Sequence, residues 1–281
     1  MRLDDQRESN NIEDRRGMRF SRAGGIGIGT IVLALVAIYF GQDPAVVLQG
    51  LQGQQGPVQQ EQGPYQESAA EAESRVLVSK VLADTEDTWG AIFAKLGRTY
   101  EQPKLVLFSQ AVQSGCGMAE SNMGPFYCPA DHKVYIDLTF YDELQNRFGA
   151  PGEFAKAYVV AHEIGHHVQT LLGIAERNQA ARQQASQAEA NALSVRQELQ
   201  ADCFAGIWAN NANQSRQILE AGDIESGLNA ASAIGDDRLS QGRAPPESFT
   251  HGTSEQRVRW FKRGLESGSL DQCDTFAARS L

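Results

Sequence analysis

Apolar residues recur at helical spacing along most of the chain, and only two short stretches read as strands. From Val76 to Leu96 the residues Val78, Val81, Leu82, Trp89, Ile92 and Phe93 fall on or near one helix face. Lys104-Leu-Val-Leu-Phe108 and Val134-Tyr-Ile-Asp-Leu138 are compact runs rich in apolar, β-branched and aromatic residues, which predicts strands. Tyr141 to Phe148 predicts a short helix that Pro151-Gly152 ends. Phe154 to Ala161 is apolar at helical spacing, and Val168, Leu171 and Leu172 continue it to a stop at Gly173. Gln179 to Asn191, nearly all Ala, Gln, Glu, Arg and Ser, predicts an exposed helical spacer, followed by an apolar helical stretch from Leu193 to Trp208. Gly222 to Leu239 reads as helical. Thr253 with Gln256 fits a capping box that starts a last helix through Trp260 and Phe261. Strands before and helices after residue 150 imply an α+β class, mainly helical with a small sheet.

The first seventy residues follow other rules. Ala23 to Phe40 is an uncharged, mostly apolar run preceded by Arg15, Arg16, Arg19 and Arg22. Its length suits a short membrane span. The basic flank places the N-terminus in the cytoplasm and the rest outside, with Tyr39 and Phe40 at the far interface. A cleaved signal peptide and a core helix are the alternatives. The first lacks a small-residue cleavage pattern, and the second would hardly open on several glycines. Residues 41–74, rich in Gln, Gly and Pro, cannot bury enough apolar surface to fold. The expected organisation is a cytoplasmic tail 1–22, a signal anchor 23–40, a disordered linker 41–74 and an extracytoplasmic domain 75–281, in the periplasm or at the cell exterior.

Charge narrows the partners. The 281 residues carry a formal −10, from 25 basic and 35 acidic side chains, and no basic stripe or glycine-rich phosphate loop stands out. Nucleic-acid binding is therefore excluded as an expectation. The four cysteines all lie beyond residue 40, where oxidation is expected. Cys116 with Cys128 closes a short Gly- and Pro-containing loop, which leaves Cys203 with Cys273. A cysteine metal site is the alternative, but no C-x-x-C spacing supports it.

The chemistry lies in His162-Glu-Ile-Gly-His166. On a helix, positions i and i+4 are about 40° apart, so both imidazoles share one face and can hold a zinc ion. Glu163 between them can take a proton from metal-bound water. The alternative is a buried helix with two satisfied histidines. His167 lies about 140° from His162 and cannot share its face, so a packing or supporting role is expected for it. A catalytic zinc needs a third protein ligand. On the following helix, Glu198 and Asp202 form another i,i+4 pair. Glu198 could complete a His-His-Glu site, and Asp202 could accept the free ring N–H of a ligating histidine. A solvated acidic face is the plain alternative. His251 is a candidate oxyanion stabiliser, with Tyr127 and Tyr135 as rivals.

H-E-x-x-H followed by E-x-x-x-D on a later helix is similar to the gluzincin group of metallopeptidases. Further segments resemble the neutral zinc metallopeptidases of the YpfJ type. These are Ser114-Gly-Cys-Gly-Met-Ala-Glu-Ser, Gly124-Pro-Phe-Tyr-Cys-Pro, Val134-Tyr-Ile-Asp137, Ala161 to Gln169, Glu198 to Gly206, Ala233 to Leu239 and Thr250 to Arg257. The resemblance implies one Zn2+ on His162, His166 and Glu198, with Glu163 as general base, and it supplies no substrate. A zincin-like cleft bordered by an edge strand is expected, with Val134 to Asp137 as the candidate strand for a peptide and an ordinary core strand as the alternative. The expected function is a membrane-anchored zinc metalloendopeptidase acting on a peptide or protein. The alternatives are a non-catalytic zinc-containing envelope binding protein and a zinc hydrolase of non-peptide substrates.

Overall fold

The computed structural model describes residues 1–19, 61–62 and 65–281. Residues Met1–Arg16 and Gln66–Leu281 form one unit, and Gly17–Tyr65 form a second. In the second, the described residues make one short antiparallel ladder of β2 (Met18–Arg19) with β3 (Glu61–Gln62).

The first unit carries a four-stranded sheet in the order β1-β4-β8-β7. It consists of β1 (Ile12–Asp14), β4 (Lys104–Phe108), β8 (Lys133–Asp137) and β7 (Phe126–Cys128). β4 runs parallel to both β1 and β8, whereas β7 is antiparallel to β8. β8 is thus interior to the sheet, paired with β4 over Lys133–Asp137 and with β7 over Lys133–Tyr135. The expected edge strand is corrected to β7. Between β4 and β7 the chain forms a hairpin of β5 (Ala111–Ser114) and β6 (Gly117–Glu120), which Cys116–Cys128 ties to the sheet edge.

The tail also departs from expectation. β1 hydrogen-bonds to β4 in the register Ile12↔Leu105. Glu86 on α1 (Ala69–Lys95), only 2% exposed, receives Arg7 at 2.9 Å, Ser9 Oγ at 2.6 Å and Asn11 Nδ2 at 2.8 Å. Residues 1–16, expected as a separate tail, thus pack as part of the same unit as residues 66–281. Two of the basic residues expected to flank a membrane span are engaged in the fold. Arg16 is buried against Asp14 and Glu67, and Arg15 pairs with Glu13. The expected span 23–40 and most of the linker lie outside the described residues. Among the described residues no helix is long and apolar enough to cross a membrane. The linker also ends early, because a Ser68/Glu71 capping box starts α1 at Ala69, in a polar turn that apolar periodicity does not register.

After the sheet strands come further helices. They are α2 (Phe140–Asn146), α3 (Glu153–Leu171), α4 (Ile174–Gln183), α5 (Gln187–Arg216), α6 (Asp223–Ala233), α7 (Asp236–Leu239) and α8 (Ser254–Ser267). The expected spacer is two helices, because Ser186 and Glu189 form a capping box that restarts the chain as α5. α3 runs through the core between α1, α5 and α6. Phe154 stacks on Trp208 at 5.9 Å, and Trp89 meets Phe204 edge-on at 5.7 Å. α8 lies in backbone contact with α5. A Cβ on Gly264 would sit 1.9 Å from the Cys203 carbonyl, and one on Gly206 2.1 Å from that of Phe261. Cys203–Cys273 pins the C-terminal tail to α5. Both expected disulfides are present. By loop length they constrain the unfolded chain by about 3 and about 4.4 kcal/mol.

Candidate active site

Glycine sets the distance between the two helices that carry the site. A Cβ on Gly165 would lie 2.9 Å from the Ala201 carbonyl and 3.0 Å from its Cα, so only glycine lets α3 touch the backbone of α5 here. That contact brings Glu198 to the histidine face. Its Oε2 lies 3.2 Å from His162 Nε2 and its Oε1 3.3 Å from His166 Nε2. Ligand atoms of the three residues lie within 4.8 Å of one another. The two imidazoles and one carboxylate that the sequence nominated are therefore together, and this borderline nitrogen and oxygen donor set suits zinc.

The outer ring nitrogens are spoken for. His162 Nδ1 is 2.8 Å from Asp202 Oδ1, and His166 Nδ1 is 2.9 Å from Gln169 Oε1. Asp202 is fully buried. It also accepts from the Tyr158 hydroxyl and from Arg257, whose Nε and Nη2 each lie 2.9 Å from a different carboxylate oxygen. Burial disfavours charge on His162, but the Asp202 carboxylate outweighs it and raises the imidazole to about 10. Burial likewise opposes charge on His166 and Glu198. Their mutual attraction prevails, raising the histidine and holding the carboxylate well below its usual range. A pocket that attracts two protons onto nitrogens beside an ionised carboxylate suits a dication in their place.

Glu163, 7% exposed, faces the same cleft, and among the described residues no hydrogen bond or ion pair occupies its carboxylate. The cleft measures about 540 Å³, with Phe126, Tyr127, Phe140, Phe148, Val159 and Leu239 among its walls. His251 stands at its rim. Asp236 holds it there: Oδ1 is 3.1 Å from His251 Nδ1, while Oδ2 accepts the backbone N–H groups of Thr250, His251 and Gly252. The Asp236 bond favours the imidazolium and raises the His251 pKa against burial.

The two rival tyrosines are engaged elsewhere. His167 Nε2 lies 2.6 Å from the Glu101 carbonyl and must carry the proton there. Nδ1 then accepts from the Tyr127 hydroxyl at 3.0 Å. Burial keeps His167 neutral, pulling it down to about 4. It is a packing histidine that ties β7 to α3. Tyr135 donates to Asp131 at 2.6 Å.

Sequence reasoning had assigned no role to Arg257, Asp236, Gln169 or Tyr158. The first three stand inside the segments that carried the family resemblance, which was the available signal. The crossing of α3, α5 and α8 fixes the partners of Arg257, Gln169 and Tyr158, and the return of residues 250–252 to α7 fixes those of Asp236.

The family described as “Putative neutral zinc metallopeptidase” matches residues 1–276, a range that includes the strand-forming N-terminus. Uncharacterized protein YpfJ of Escherichia coli (strain K12) is 52% identical over 98% of this chain and 99% of its own length. Uncharacterized protein Rv2575 of Mycobacterium tuberculosis (strain ATCC 25618 / H37Rv) is 44% identical over 74% of this chain and 73% of its own. No solved structure matches. A match that spans nearly the whole chain means that the chain belongs to the family so described.

Proposed function

We propose that the protein is a zinc-dependent endopeptidase that hydrolyses extended peptide segments. The observation that carries this reading is the convergence of His162 Nε2, His166 Nε2 and Glu198 beside an unengaged Glu163 in an open cleft. His162, His166 and Glu198 would hold the ion, which when bound supplies Lewis acidity toward the scissile carbonyl and acidifies water. Glu163 accepts the proton of the attacking water and returns it to the leaving amine. His251, whose imidazolium form the Asp236 carboxylate favours, donates a hydrogen bond to the oxyanion. A peptide adds to the outer side of β7, whose hydrogen-bonded neighbour is β8, through main-chain bonds. Apolar side chains of the substrate pack against Phe140, Phe148 and Val159.

The two disulfides favour an oxidising compartment, so this proposal puts the catalytic unit outside the cytoplasm, in the periplasm or at the cell exterior. Membrane association through residues 23–40 belongs to the same proposal, with residues 1–16 and the catalytic unit on one face. The test compares the full chain with Glu163→Gln for zinc content and for new protein N-termini in cell-envelope fractions. The expected result is equal zinc and loss of the Glu163-dependent cleavages. Full cleavage by the variant would refute the mechanism.

A further inference from the structure

Gln169, three residues beyond His166 on α3, is fully buried, and its carboxamide touches three groups. Oε1 is 2.9 Å from His166 Nδ1, while Nε2 is 2.7 Å from the Gln197 carbonyl and 3.1 Å from Gln200 Oε1. Gln200, on α5 and itself 5% exposed, places Nε2 3.0 Å from the carbonyl of disulfide-bonded Cys273.

The proton directions follow by elimination. A backbone carbonyl can only accept, so the amide nitrogens of Gln169 and Gln200 must face Gln197 and Cys273. The oxygen of Gln169 is then the atom that meets His166, and it too can only accept. His166 Nδ1 therefore carries the ring proton, and the Nε2 lone pair is left toward Glu198, 3.3 Å away. A reversed Gln169 amide would set its oxygen against two other acceptors in a buried site and leave each of them without a donor. The chain His166, Gln169, Gln200, Cys273 thus donates in one direction only.

We propose that this amide chain is a positioning device for the second metal ligand. It fixes the tautomer and ring plane of His166, and it makes metal affinity depend on Gln200, which touches no ligand. His162 is oriented differently, by the charged Asp202–Arg257 pair. The neutral chain orients His166 without adding charge beside Glu198. The inference rests on the zinc reading of the site.

The test is zinc affinity of the full-length, disulfide-intact chain, measured by competition with a chelator. Gln169→Leu should weaken zinc about 10–100-fold, the range for loss of a group that orients a ligand. Gln169→Met replaces it if the leucine variant fails to fold. Gln200→Leu should weaken zinc about threefold to tenfold, below that range because it acts at one remove. The double variant should bind zinc as Gln169→Leu does, because Gln200 acts only through Gln169. Solvent exchange of the His166 Nδ1 proton should be slow in the parent and fast in Gln169→Leu, a change that loosened packing elsewhere would not produce. Parent-like affinity in both Gln169 variants, or additive losses in the double variant, overturns the proposal. A parent chain that holds no zinc overturns instead the zinc reading beneath it.

Discussion

Arg257→Met isolates the buried charge behind His162. Methionine keeps most of the side-chain stem but removes the guanidinium that gives Asp202 two hydrogen bonds of 2.9 Å. Asp202 is 0% exposed and Arg257 2%, so water cannot replace the lost partner. Two hydrogen bonds to a charged group are worth about 1.5–3 kcal/mol each. Tyr158 and His162 continue to donate to Asp202, which brings the expected loss to about 3–5 kcal/mol, the range for orphaning one member of a buried ion pair. For a domain of this size that corresponds to a fall in Tm of roughly 6–20 °C. The assay is thermal and urea unfolding of the metal-free protein with both disulfides intact, so that zinc does not enter the comparison. Adding Asp202→Asn removes the orphaned charge and should recover at least about 1 kcal/mol. A single-variant loss below about 1 kcal/mol, or a double variant no better than the single, would refute the reasoning, since either result requires Asp202 to be solvated or uncharged.

Three further outcomes follow from the same geometry. Gly165→Ala places a methyl 2.9 Å from the Ala201 carbonyl and should cost about 1–3 kcal/mol in urea unfolding. It should also weaken zinc in chelator competition, by moving Glu198 away from the histidines. Asp236→Ala should lower kcat about tenfold with little change in KM, less than the 10²–10³ of deleting an oxyanion donor itself, because Asp236 acts through His251. Glu13 on β1 is desolvated, yet Lys133 and Arg15 pull its pKa from 4.5 to about 2. Its stabilisation is therefore full above pH 4.5 and is lost as the pH falls toward 2. Protection factors of the β1 amides, corrected for intrinsic exchange, should fall across that window, and Glu13→Gln should reduce that pH dependence, Asp14 on the same strand supplying the rest.

Local sequence marks an element when its own residues carry the reason for it. Lys104 to Phe108 reads as a strand because four consecutive apolar side chains are buried there, and the observed β4 has those bounds. The capping boxes at Ser68, Ser186 and Thr253 are equally local, though only the last was used to set a helix start. β1 has one apolar residue in Ile12-Glu-Asp and exists because β4 offers it backbone partners, so no periodicity announces it. The site divides in the same way. His162, Glu163 and His166 are legible because helix geometry alone puts them together. Arg257 is 55 residues from Asp202 and meets it only where α8 lies against α5. Gln169 looks like any helical glutamine until the Gln197 carbonyl fixes which end of its amide faces His166.

The parallel pairing of β1 with β4 changes what a cut in this chain would mean. Residues 1–16 are held by the ladder to Leu105–Leu107 and by the Glu86 cluster, not by their covalent link to residue 66. Cleavage at any point between residues 20 and 60 would therefore yield two fragments that remain one folded unit, the small one docked as a strand on the large one. A polypeptide begun at residue 66 would lack that strand and keep the Glu86 carboxylate buried without the donors Arg7, Ser9 and Asn11, and a free peptide of residues 1–16 would be the piece that restores them. In this protein, fragment complementation rather than domain truncation is the natural way to separate residues 1–16 from residues 66–281.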